Sequence, residues 1–160
     1  MMRKITVSFL VLSLGLLFYP WSGDISLAQT VSLGRVDTVS RSSFDKTVRQ
    51  LETAIKARAM MLVATIDHQN MMSMAGVRIK GSKTLEFGGP DMGKMVLTKS
   101  PEAGLETPAK IYVYERADGK TVVSYYKPSG GFSSYGKEHT SMAGQMMDKM
   151  LEEIVSEGTK

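Results

Sequence analysis

The sequence predicts an α+β fold: an antiparallel sheet with a central hairpin, packed by an N-terminal and a C-terminal helix. Two apolar stripes of helical period, one near each end of the chain, predict the helices. Two β-rich runs that flank Asp118-Gly119 predict the hairpin. Helices and strands mix without strict βαβ alternation, which favours α+β over a parallel α/β fold.

The first 28 residues have the organisation of a secretory signal peptide. Arg3 and Lys4 precede the apolar run Ile5–Phe18, and Ser26-Leu27-Ala28 places small residues before a cut after Ala28. Because a membrane-spanning helix needs about 20 apolar residues, this run is short for a permanent anchor. We therefore expect a periplasmic or secreted protein, with an uncleaved N-terminal anchor as the alternative.

The rest of the chain divides into a tether, residues 29–38, and a single α+β domain, residues 39–157. A domain of this size can bury a core without disulfide bonds, and it must do so because the chain has no Cys. The net charge of +4 is mild, and export argues against nucleic acid as a partner. We expect no transmembrane segment once the signal peptide is removed.

The periodicity of the first half of the domain predicts five elements. Phe44, Val48, Leu51 and Ile55 form one helical stripe that Ser42 or Ser43 can cap. The next run is apolar at nearly every position, which is typical of a strand covered on both faces. The predicted elements are a helix at 44–57, a strand at 59–66, a short helix at 69–75, a strand at 84–87 and a short helix at 92–99.

Residues 109–126 predict a β-hairpin with a two-residue type I′ turn at Asp118-Gly119. That turn places Tyr112 opposite Tyr125 and Tyr114 opposite Val123 on one face. The other face receives Ile111, Val113, Val122 and Tyr126. Both faces carry apolar or aromatic groups, so we expect helices on one side and, as one interpretation, a second subunit on the other, which makes the protein a homodimer.

The C-terminal part is predicted to be a flexible Gly/Ser loop followed by a long helix. The loop, residues 128–136, carries Phe132 and Tyr135. The helix, residues 137–156, presents two adjacent lines of apolar side chains: Met142, Met146, Met150 and Ile154, then Ala143, Met147, Leu151 and Val155.

Several of these segments, in this order, resemble the bacterial and archaeal domain of unknown function 302 family. The matching features are Asp67-His68 after a strand, Phe87-Gly88-x-Pro90, Gly93 and Pro108. The resemblance covers roughly residues 39–155 and implies a compact α+β domain that can dimerise, but it supplies no activity. The family pattern Phe-Gly-Asn-Pro has Gly89 in place of its Asn here, and Lys94 replaces a small residue.

A methionine-rich copper site is one candidate for chemistry. The chain has 13 methionines, and Met71, Met72 and Met74 follow His68 closely. Thioether sulfur and imidazole suit Cu(I), and an exported protein without Cys would have to use them. The alternative is that the methionines only fill the core, because Met adapts to irregular packing.

His68 also supports an enzymatic interpretation. A histidine at a strand end can act as a base or a ligand near neutral pH, and Glu86 on the neighbouring strand can orient it, which is the constellation of a hydrolase-like enzyme. The alternative is structural, a histidine that caps the following helix. Residues 88–94 match a P-loop spacing, but Met95 replaces the Ser or Thr that holds Mg²⁺, so we interpret the match as coincidence.

The tyrosine face of the hairpin is the remaining candidate. Tyr112, Tyr114 and Tyr125, with His68 beside them, would form an apolar pocket with polar rims that suits a small ligand. The same face would suit a protein partner equally well. We therefore predict a non-enzymatic binding domain for a small ligand or a protein partner, with Cu(I) binding or sensing through His68, Met71, Met72 and Met74 as the first alternative and an enzyme using His68 and Glu86 as the second.

Overall fold

The computed structural model describes residues 34–160, which form one sheet and five α-helices. The predicted signal peptide, residues 1–28, and residues 29–33 of the predicted tether lie outside the described residues. In chain order the elements are β1 (Arg35–Val39), α1 (Phe44–Lys56), β2 (Met61–Asp67), α2 (His68–Met74), β3 (Ser82–Gly88), α3 (Pro90–Leu97), a 3₁₀ helix (Pro101–Glu106), β4 (Ala109–Glu115), β5 (Thr121–Tyr126), α4 (Pro128–Ser133) and α5 (Glu138–Gly158).

The five strands form an antiparallel sheet in the order β1-β5-β4-β3-β2. Side chains alternate between the two faces of such a sheet. Leu85, Ile111 and Val123 point to one face and are fully buried there. The opposite face, which we call the open face, carries Thr84 and Tyr112 among its polar and aromatic side chains. The α+β prediction, with its central hairpin and two packing helices, is confirmed.

The core lies between the buried face of the sheet and the two long helices. The apolar stripe of α1 packs against α5, and both cover the central strands. Leu51 and Ile55 from α1 and Leu151 and Ile154 from α5 are almost completely removed from water. The line Ala143–Met147–Leu151 therefore faces the core, whereas Met142 and Met146 are exposed.

The hairpin register differs by one residue from the predicted one. Tyr112 pairs with Ser124 and Tyr114 pairs with Val122, because the turn has three residues rather than two. The Arg116 N–H bonds the Lys120 carbonyl at 2.9 Å, and Gly119 has a φ of 81°. A type I turn followed by one left-handed glycine closes such a loop. A slip of one residue exchanges the faces of a strand, so Tyr125 lies on the buried face and Tyr126 on the open face.

Two further predictions concern the sheet edges and were wrong. Residues 35–38, assigned to the tether, belong to β1, which pairs with β5 over five residues. The strand predicted at 59–66 begins at Met61 and is an edge strand with exposed Met61 and Val63, so it is not covered on both faces. Its register with β3 shifts between Leu62 and Ala64, which marks a bulge, a common feature of sheet edges.

The segment predicted as a flexible loop at 128–136 contains α4, which packs on α5. Phe132 is fully buried in the core. Gly144 of α5 permits this approach, because a β-carbon there would lie 2.7 Å from Ser129 Cα. The Tyr135 hydroxyl donates to Glu106 Oε1 at 3.2 Å, so neither aromatic side chain is free to close over a pocket.

Candidate functional site

The centre of the open face holds a connected group of polar and aromatic side chains. His68 begins α2 at the end of β2, and its Nε2 lies 2.8 Å from Thr84 Oγ1. The His68 ring meets Tyr112 edge to face, with ring centroids 5.8 Å apart. Tyr112 in turn stacks on Tyr114 at 5.2 Å, and its hydroxyl lies 2.8 Å from Ser82 Oγ. Three neighbours, His68, Tyr114 and Ser82, therefore fix the Tyr112 ring in one orientation.

Asp67 explains why the chain turns into α2 at this point. Its carboxylate accepts the N–H of Asn70 at 2.9 Å, as an N-cap residue does. This bond, with the nearby Lys83 ammonium, lowers the pKa of Asp67. The capped turn places His68 over the sheet rather than beside it. The sequence prediction that His68 lies next to the hairpin agrees with this geometry.

Next to Tyr112 lies a cleft of about 240 Å³, which we call the tyrosine cleft. Tyr112 and Tyr126 expose 38% and 54% of their surface. The lining combines these two aromatic rings with two cations and two hydroxyl groups. The residues that line it are Arg35, Thr84, Lys110, Tyr112, Ser124, Tyr125 and Tyr126.

The floor of the tyrosine cleft is polar and ordered. Ser124 Oγ donates to Asp37 Oδ1 at 2.5 Å, and Arg35 Nε donates to the same oxygen at 3.0 Å. The Ser124 hydrogen bond is the main cause of the lowered pKa of Asp37. Asp37 is therefore an anion with its own partners, whereas the Lys110 ammonium makes no ion pair within residues 34–160.

Tyr125 does not join Tyr112 and Tyr114, contrary to the prediction. It borders the cleft, but it belongs to the core cluster and is 5% exposed. Burial, with Glu152 and Asp148 of α5 nearby, raises the pKa of the Tyr125 hydroxyl. Its phenol group thus faces the helix layer. Tyr126, which the slipped register brings to the open face, takes the place that the sequence assigned to Tyr125.

The predicted copper ligands lie on α2 but do not all face the same way. His68, Met71 and Met72 are three and four residues apart, so they share one side of the helix. Met74 lies on another side and is 81% exposed. His68 Nε2 is already bonded to Thr84. Copper binding by this group stays a prediction.

The predicted acid–base pair is not formed directly. His68 bonds Thr84, and Glu86 lies two residues further along β3, opposite Lys110 and Ala64. In the described part of the chain, no three His, Asp or Glu side chains are grouped as metal ligands.

A second polar cluster escaped the sequence analysis. Ser100 Oγ lies 2.8 Å from His139 Nε2, and the Lys137 ammonium donates to the same oxygen at 3.0 Å and to Glu102 at 2.5 Å. A hydroxyl beside an imidazole is the geometry of a nucleophile and its base. Ser100 is fully buried, however, so a substrate has no access to its Oγ. The cluster joins the segment at the start of the 3₁₀ helix to the start of α5. In the sequence, His139 in the first turn of α5 was the one feature that could have indicated a polar cluster there.

Fold and site together define a small α+β domain whose antiparallel sheet is covered by helices on one face and presents a polar, aromatic surface on the other. The chain belongs to the family Domain of unknown function DUF302, whose model matches residues 36–156. The resemblance noted in the sequence is thereby confirmed.

A solved structure with this fold is the uncharacterized conserved protein DUF302 from Bacillus stearothermophilus. It superimposes with a TM-score of 0.72 at 16% identity, over 79% of this chain and 98% of that one. At this identity the likeness concerns the fold alone.

Among curated proteins, the chain is similar to proteins named fluoride-specific ion channel FluC 1 from Brucella suis and from Brucella abortus. Identity is 22% over 131 residues in each, which covers 79% of this chain but 52% and 48% of those proteins. The chain thus spans about half the length of these relatives. Within residues 34–160, no helix is both long and apolar enough to cross a membrane.

Proposed function

We propose that this chain is an exported binding domain that takes a small anion with a flat apolar body in the tyrosine cleft. The observation that carries the proposal is the pairing of two exposed aromatic rings with two cations around one concave site. Small-ligand sites combine an apolar wall with a few fixed polar groups, and this cleft has both.

The lining favours an anion over a neutral ligand. Arg35 and Lys110 are the charged residues that line the cleft within the described part of the chain, and Asp37 and Glu86 stay outside its lining. Asp37 neutralises much of Arg35 through their 3.0 Å contact, which leaves the Lys110 ammonium for a carboxylate, sulfonate or phosphate group. The Thr84 hydroxyl, which shares a hydrogen bond with His68 Nε2, lies in the same lining.

Order in the cleft supports binding without a large entropic penalty. The Tyr112 ring is held by His68, Tyr114 and Ser82 before any ligand arrives. A wall that is already in place loses little conformational freedom on binding. Tyr126, on the other side, keeps more than half of its surface exposed and supplies the second apolar contact.

Two dyes of the same ring system test the proposal. Anilinonaphthalene sulfonate is an aromatic anion, and phenylnaphthylamine is its neutral counterpart. We expect Lys110→Met to weaken binding of the sulfonate about fivefold, near 1 kcal/mol for a surface charge contact, and to leave the neutral dye unchanged. Tyr126→Ala should weaken both dyes, measured by fluorescence titration.

Lys99→Met is the matched control, since it removes an exposed positive charge away from the cleft. It should leave both titrations unchanged. If all three variants bind both dyes as the unmodified protein does, the cleft is not a binding site. The mass of the protein purified from cells that express the full chain tests export separately, because a chain that begins at Gln29 shows cleavage after Ala28.

A further inference from the structure

A groove at the other end of the sheet brings together methionines from three separate elements. It has a volume of about 300 Å³ and lies where the end of β3 and the start of α3 meet the starts of β2 and β4. Met60 and Met61 come from the start of β2, Met92 from α3 and Met147 from α5. The groove shares no residue with the tyrosine cleft.

The four sulfur-bearing side chains form a path from solvent to the interior. Met61 is 61% exposed, Met92 is half-buried, and Met60 and Met147 are buried. The remaining lining is made of glycine, proline, alanine, valine, phenylalanine and one threonine, with no acidic or histidine side chain. Hard cations such as Ca²⁺ and Mg²⁺ prefer several oxygen ligands, and no carboxylate lines this groove to supply them.

We propose that this methionine groove binds Cu(I) through thioether sulfur. Thioethers are soft, neutral ligands that select Cu(I) over the harder divalent ions. The chain has no Cys, so thioether sulfur is its only soft ligand. Met61 is 61% exposed at the mouth of the groove, so its sulfur is accessible to a metal ion from solvent.

Gly89 is the feature of this chain that makes room for the inner sulfur. A β-carbon at residue 89 would lie 2.7 Å from Met60 Sδ, closer than real β-carbons approach other atoms. The Asn found at this position in the pattern of the resembled family would therefore displace the Met60 sulfur. The Gly-Gly-Pro turn thus gives Met60 its place in the wall of the groove.

The test is a titration of the protein, purified from cells that express the full chain, with silver nitrate in chloride-free buffer. Ag(I) is a redox-stable substitute for Cu(I), and the methyl resonances of ¹³C-methyl-labelled methionine report each ligand by NMR. We expect one equivalent of Ag(I) to shift the resonances of Met60, Met61, Met92 and Met147. Competition for Cu(I) against the chelator bicinchoninate should give the same stoichiometry.

Three variants decide where the metal binds. Met61→Leu/Met92→Leu conserves side-chain volume at accessible positions and should weaken binding at least tenfold. Gly89→Asn should weaken it through displacement of Met60. Met142→Leu/Met146→Leu, on the exposed line of α5, is the matched control and should bind as the unmodified protein does.

Two results would overturn the proposal. If Met71→Leu/Met72→Leu/Met74→Leu abolishes binding while the groove variant retains it, the metal binds at α2 instead. If the unmodified protein neither shifts its methionine resonances nor competes with the chelator, the groove methionines serve packing alone. Neither result alters the dye titrations, because the two sites have no residue in common.

Discussion

Substitution of Gly144 by Ala tests the packing of α4 on α5, which the sequence did not predict. The new β-carbon would lie 2.7 Å from Ser129 Cα and 2.9 Å from Phe132 Cβ, about 1 Å short of the 3.5–4.0 Å at which carbon atoms pack. Such overpacking costs about 1–3 kcal/mol, and the better helix propensity of Ala returns about 1 kcal/mol. We expect a net loss of about 0–2 kcal/mol in the free energy of unfolding, centred at about 1 kcal/mol.

Gly93 in α3 supplies a control with the opposite sign. A β-carbon there meets its first neighbour, Leu97 Cδ1, at 4.0 Å, so Gly93→Ala should stabilise the domain by about 0.5–1 kcal/mol through helix propensity alone. Urea unfolding followed by circular dichroism measures the free energy of unfolding of both variants. If Gly144→Ala stabilises the protein as much as Gly93→Ala does, α4 does not pack against α5 as described.

Two further predictions concern charged groups. The Arg116 guanidinium and the Lys120 N–H lower the pKa of Asp118 to about 2. The ionised Asp118 therefore stabilises the fold above the ordinary carboxyl pKa, and this stabilisation is lost as pH falls through the folded pKa. The pH dependence of the free energy of unfolding between about pH 4 and pH 2 should shrink in Asp118→Asn. Arg58, just after α1, donates to both carboxylate oxygens of Glu157 in α5. Arg58→Met should lower the free energy of unfolding by about 1 kcal/mol, and Arg58→Lys should restore little of it, because one ammonium cannot replace the two parallel guanidinium hydrogen bonds. Equal stability of Arg58→Lys and the unmodified protein in urea would refute this geometry.

Most of the helices and the presence of the central hairpin could be predicted because their patterns are local. The stripe from Phe44 to Ile55 predicts α1 almost to the residue, and Gly76 ends α2 with a φ of 76° as expected. The buried stripe of α1 follows from periodicity alone. By contrast, α4 contains two adjacent glycines, and it is helical because Phe132 is buried against α5. Tertiary packing outweighs a poor local propensity there.

The composition of the open face could not be predicted because it depends on the length of one turn. Asp-Gly suits a two-residue turn and also the last two positions of a three-residue turn with one left-handed glycine. The additional loop residue is Ala117, and alanine has no preference that would assign it to the turn rather than to the strand. It exchanges Tyr125 for Tyr126 on the open face, and with them the wall of the cleft. The contacts of Ser100 with His139 and Lys137 were equally out of reach, since they join residues that are 39 and 37 positions apart.

The docking of α1 on α5 also sets the order in which the chain can fold. Arg58 and Glu157 are 99 residues apart, and the Ser42 hydroxyl bonds the Lys160 carbonyl across 118 residues. Contacts of such sequence separation form slowly, because a long loop must close first. The apolar stripe of α1 therefore lacks the part of its cover that α5 supplies until the last helix has been synthesised. The core of a growing chain therefore stays incomplete until its C-terminal helix is available.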